Sequence, residues 1–198
     1  LDAGLGGAEP LTKCFAIGAR NDILNYLWFR PAMMARLCAR ALELGIETGY
    51  ALRLIGRRCL APPPCALEAW PWPVKVYISA AGVPRVLVDG QVLETRRRAP
   101  DAPLRLLHGL VMLAAQVEPR RFNGHALPCR PVDRALLGMH LRPNAEPGSN
   151  EDWLDQNVKR LRRRLGHVDA VLGSGGKLAL NPLRVWVDVF VEAGRRAD

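Results

Sequence analysis

No apolar run in this 198-residue chain approaches the roughly 18–20 residues that a helix needs to cross a bilayer. The opening residues also lack a basic start followed by an apolar block, so no signal peptide is expected. Leu rather than Met stands first, which leads to the expectation of a piece cut from something longer. Aromatics are sparse at 6%, and no strand pair is rich enough in them to stack bases, which argues against an RNA-binding sheet.

Catalytic and metal patterns are absent too. The five cysteines (Cys14, Cys38, Cys59, Cys65, Cys129) are odd in number and form no CxxC pair, so a reducing compartment is expected instead of a disulfide framework. Cys38 falls on an apolar helical face, as a buried thiol would. His108, His125, His140 and His167 share no metal-ligand spacing, and no Ser or Cys sits in a nucleophile motif. Gly176-Lys177 is followed by Leu178 instead of Ser or Thr, so it does not cradle phosphate as a P-loop does. Neither an enzyme nor a cofactor is expected.

What the chain does have is positive charge and punctuation. Its formal net charge is +9, which favours a polyanionic partner. Residues 1–14 are Gly-rich and read as irregular. A helix is expected from Pro31 through Met34, Leu37, Cys38, Ala41 and Leu42 to near Gly45. A second carries Tyr50, Leu54 and Ile55 and ends at Gly56-Arg57-Arg58, making a helical hairpin of residues 1–60 that resembles the last repeat of a helical array. The Pro-rich segment 61–73 reads as a stiff linker, leaving 74–198 as a second domain.

In that domain Val74, Val76 and Ile78 alternate as a strand, and Asp89-Gly90 sits between two short apolar runs as a hairpin turn. Arg96-Arg97-Arg98 reads as a basic loop. Pro103 opens a helix with a wide apolar stripe, 117–130 reads as a polar connection, and Pro131 is expected to start a short helix through Met139. After a loop at 142–150, Ser149 or Asn150 is the expected cap of the next helix. Runs 168–172 and 177–180 flank Gly173-Ser174-Gly175-Gly176 as a hairpin, and Val185 to Val189 is a last apolar stretch.

The helix after the loop is the centre of the functional reading. Leu154, Val158, Leu161 and Leu165 recur at the rhythm of one buried face. At about 100° per residue, Gln156, Lys159, Arg160 and Arg163 then point outward, while Arg162 and Arg164 lean to the flanks. Arg160 and Gln156 are the expected base readers, with Asn157 the alternative if the helix is rotated. Lys159, Arg162, Arg163 and Arg164 are the expected phosphate contacts. Lys177, with the backbone of Ser174 and Gly175, is expected to touch phosphate or a minor groove. Trp153 reads as lying near the exposed side, whereas Trp70, Trp72 and Trp186 read as linker or core. The plainer alternative is a solvated basic helix on a module that binds protein.

Strand, hairpin, two helices, basic helix and hairpin, in that order, describe an α+β winged helix: a small N-terminal sheet, three helices and a C-terminal hairpin wing. The run Val158-Lys159-Arg160-Leu161-Arg162-Arg163-Arg164-Leu165-Gly166 resembles the OmpR/PhoB-type winged-helix domain of bacterial transcription regulators. Gly175-Gly176-Lys177-Leu178-Ala179-Leu180 with Val185-Trp186-Val187-Asp188 resembles the wing and C-terminal end of its SARP, or bacterial-transcriptional-activator, branch. Residues 28–62 resemble the end of the helical region of large MalT/LuxR-like regulators. The segments at 117–130 and 142–150 are longer than the family pattern, and Asp152 and Trp153 stand where smaller or basic residues are usual. The resemblance implies a four-stranded N-terminal sheet, double-stranded DNA as ligand and RNA polymerase as a partner. Homodimers or tandem copies on DNA, and a cytoplasmic, nucleoid-associated location without a membrane role, complete the expectation.

Overall fold

The computed structural model describes residues 8–63, 68–78, 84–93, 101–122, 128–145 and 148–190. Arg96-Arg97-Arg98, Cys65, His125 and parts of the 61–73, 117–130 and 142–150 segments lie outside the described residues. The chain divides into two compact units, Leu1–Pro71 and Trp72–Asp198, with the division inside the Pro-rich segment. No described helix is long and apolar enough to cross a membrane.

The first unit holds three helices where a hairpin of two was expected: α1 (Ala8–Arg20), α2 (Pro31–Glu43) and α3 (Thr48–Arg57). Residues 8–14 are therefore helical, not irregular. Leu11, Phe15 and Gly18 are buried at spacings of four and three, so α1 earns its place through one apolar face despite its Gly-rich approach. Phe15 packs edge-on against Tyr50 with ring centroids 5.6 Å apart. The Tyr50 hydroxyl donates to the Ile23 carbonyl and meets the Tyr26 hydroxyl at 2.5 Å. Both hydroxyls lie over Gly18, where a Cβ would collide with them. Pro31 opens α2 as its missing N–H allows, and Cys38 is fully buried.

The second unit is mixed α+β. Strand β1 (Val74–Ile78) pairs antiparallel with β2 (Pro84–Val88), which turns through Asp89 and Gly90, both at positive φ, into β3 (Gln91–Val92). Helix α4 (Ala102–Ala114) starts where the Asp101 carboxylate accepts from the Leu104 N–H at 3.3 Å. Next come β4 (Val132–Asp133), α5 (Arg134–Leu141), α6 (Ser149–Arg164), β5 (Val171–Ser174), β6 (Lys177–Leu180) and β7 (Val185–Val187). One sheet has the order β3-β2-β1-β7 and the other β4-β6-β5.

Several local expectations are corrected. Pro131 does not start a helix: Val132 and Asp133 pair with Leu178 and Lys177 as a strand, and α5 begins at Arg134. The Asp133 carboxylate decides this, accepting from the Ala135 N–H at 2.8 Å and the Leu136 N–H at 3.4 Å, as a helix cap does. Neither Ser149 nor Asn150 caps α6. Gly148, at φ 87°, stands in that place without a side-chain bond, and the Asn150 side chain packs beside Gly138. Only Gly175-Gly176 forms the hairpin tip, both at positive φ as a tight two-residue turn needs, and Ser174 belongs to the strand. Val168 is exposed before β5 begins.

The largest revision is β7, which pairs parallel with β1, Val74 opposite Val185 and Val76 opposite Val187. Asp188 secures this edge by accepting from the Ile78 N–H at 2.9 Å. The N-terminal sheet therefore gains its fourth strand from the C-terminal end. One core unites the unit: Val74, Val76, Leu106, Leu107, Leu110, Leu137, Leu154, Leu161, Leu165 and Leu178 are all buried in it. At about 25 cal/mol per Å² of apolar surface, such burial is what holds α6 in place.

Candidate nucleic-acid interface

Helix α6 is anchored on one side and open on the other. Leu154, Val158, Leu161 and Leu165 are buried, as their spacing requires. Gln156, Lys159, Arg160 and Arg163 are exposed. Lys159, Arg160 and Arg163 have no ion-pair partner among the described residues. Glu151 and Asp152 lie in the first turn and Arg162, Arg163 and Arg164 in the last, so the side-chain charges oppose the helix dipole at both ends.

Three of the expected contact residues are placed otherwise. Asn157 is only 2% exposed, and its amide donates to the Trp153 carbonyl at 2.8 Å. It is removed from the outward face because position 157 lies about 40° from Leu161 and about 60° from Leu154 on the helical wheel. Arg162 turns back over the hairpin, its Nε and Nη2 donating to the Val171 carbonyl at 3.0 and 2.7 Å. Arg164 is ion-paired with Asp101, the residue that caps α4. Both arginines thus tie α6 to its neighbours. Trp153 is also corrected: it is half-buried against the core, with the Arg142 guanidinium 5.6 Å from its ring centroid.

Beside α6 stands the β5–β6 hairpin. Ser174, Gly175 and Gly176 are exposed at its tip and Lys177 is half-buried, opposite Asp133 across the strand pair. One residue that the sequence reading missed joins these parts. Arg134 donates its backbone N–H to the Gly176 carbonyl at 3.0 Å and its guanidinium to Asp155 at 2.7 Å. It therefore ties the start of α5 to both the hairpin turn and α6. Asp133 just before it was a readable cap signal, but the partner 21 residues away was not.

The arrangement can offer exposed cations and an amide on a rigid helix, next to a backbone-rich turn. Those are groups that bind phosphate and base edges. Among the described residues no cluster of three or more His, Cys, Asp and Glu is placed to hold a metal ion. Trp186 is buried as a core residue, in tilted contact with Tyr77 at 5.3 Å. No family model, no curated protein and no solved structure matches the chain.

Proposed function

We propose that residues 72–198 form a winged-helix domain that binds double-stranded DNA sequence-specifically, as the output part of a bacterial transcription regulator of the OmpR/PhoB type. One observation carries the reading. On α6 the apolar residues are buried while Gln156, Lys159, Arg160 and Arg163 stand exposed together. A helix held this way can enter a major groove without losing its packing, and the Gly175-Gly176 turn can approach an adjacent phosphate or minor groove. Arg160 and Gln156 are the proposed base readers, since Arg pairs bidentately with guanine and Gln with adenine. Lys159, Arg163 and Lys177 are the proposed phosphate contacts, with Ser174 beside them at the wing. Arg162 and Arg164 orient the helix instead.

The test compares two variants on a selected site and on random duplex across a salt series. Arg160→Ala should relax preference at one base position by about 1–3 kcal/mol. Arg163→Ala should weaken all duplexes alike and lower the salt slope by about one unit. Equal losses from both variants on both duplexes would reduce α6 to a phosphate clamp.

A second reading, a winged helix that docks protein, draws on Leu136 and Met139, which are 48% and 58% exposed one turn apart on α5. Failure of the chain to be retained on any duplex would favour it. On the DNA reading, the same pair is a surface that RNA polymerase could contact. Paired copies on DNA are proposed as well, because one short reading helix supplies few base contacts.

A further inference from the structure

We propose that Asp155, held by Arg134, is a specificity-determining residue that penalises binding to non-cognate DNA. The inference rests on the DNA-binding reading above. Asp155 is exposed (60% of its side chain) on α6, directly before Gln156 and one turn from Lys159, among the cations proposed to face the duplex. Its partner Arg134 is only 18% exposed. A pair whose carboxylate is this exposed is screened by water and adds little to stability, so its effect is to be sought in what approaches it.

The pair has a built geometry. Arg134 is fixed at its backbone by the Gly176 carbonyl and at its guanidinium by Asp155 Oδ1, so one carboxylate oxygen is held toward α5 while the Asp155 side chain as a whole stays exposed. Other charged groups border the site: Asp133, opposite Lys177 on the strand pair, and Glu151, Asp152 and Lys159 on α6 itself. Even paired with Arg134, an exposed carboxylate among these cations lowers their attraction for phosphate whenever the helix rides on the backbone. Seated in a groove, it meets base edges, where it can accept from a cytosine amino group. It therefore costs affinity on every duplex but costs least on the right one.

The experiment measures binding of the full chain to a selected duplex and to a random duplex of the same length. Asp155→Asn keeps the shape and an oxygen for Arg134. It should raise affinity for random duplex by about three- to tenfold and lower the ratio of selected to random binding. Glu9→Gln, which makes the same change of net charge on α1, should leave both unchanged. Arg134→Gln, which exposes the carboxylate uncompensated, should shift binding in the opposite direction, most on random duplex. These opposed signs are not what loss of folding produces. Unchanged or reduced random binding by Asp155→Asn, or an equal gain from Glu9→Gln, overturns the proposal while leaving DNA binding intact. Absence of any duplex binding by the parent chain overturns both.

Discussion

Guanidinium groups on α6 divide by what holds them. Arg162 spends two donors on one carbonyl and Arg164 is paired with Asp101, whereas Arg160 and Arg163 face solvent. The helical rhythm was enough to separate inward from outward positions, because four leucine and valine side chains fix the wheel. It could not separate 162 and 164 from true surface cations, since their partners lie at 171 and 101 and become neighbours only on folding. Asn157, expected to read a base only if the helix were rotated, is hidden beside the buried stripe, where its side-chain N–H donates to the Trp153 carbonyl. Thiols give a direct check on burial. Loss of solvation pushes the Cys38 thiol up from 9.0 to about 12 and raises Cys129 as well. Alkylation of the native protein near pH 8 should modify exposed Cys14 and Cys59 and spare Cys38 and Cys129, read by peptide mass. Modification of Cys38 at the rate of Cys14 would contradict a packed first unit. The sign for stability follows: the unfolded chain releases the Cys38 proton near pH 9 and the folded chain near 12, so stability falls as pH rises through that window.

Elements with strong local signals were legible and those made by distant pairing were not. Pro31, Asp89-Gly90, Pro103 and the buried stripe of α6 each announce their element within a few residues. Strand β4 has two residues and exists because β6 lies alongside it, and β7 is defined by β1. Neither has a local pattern long enough to read. Capping separates α4 from α5 in a measurable way. Asp133→Ala removes the cap of α5 and should cost about 1 kcal/mol in chemical unfolding of the second unit. Asp101→Ala loses the α4 cap and the Arg164 pair together, so it should cost about 1–2 kcal/mol. Equal costs would mean that the Arg164 pair contributes nothing to holding α6.

Two units with separate cores should respond separately. Gly18 is the most sensitive point of the first, since a Cβ there would collide with the hydroxyls of Tyr26 and Tyr50. Gly18→Ala should therefore lower the thermal midpoint of the first unit by several degrees while the duplex binding proposed for the second stays within twofold. Loss of both together would show that the units unfold as one. The second unit carries a constraint of another kind. Its first strand, β1, is completed by its last, β7, across 111 positions of chain between Val74 and Val185. Contacts so far apart in sequence form late, because a long loop must close before they contribute. During synthesis, which runs from the N-terminal end, β1 waits with one edge unpaired until Val187 has cleared the ribosome. Until then that edge is open to any passing strand, so the growing chain depends on speed of emergence, or on a chaperone, for the last step of its own closure.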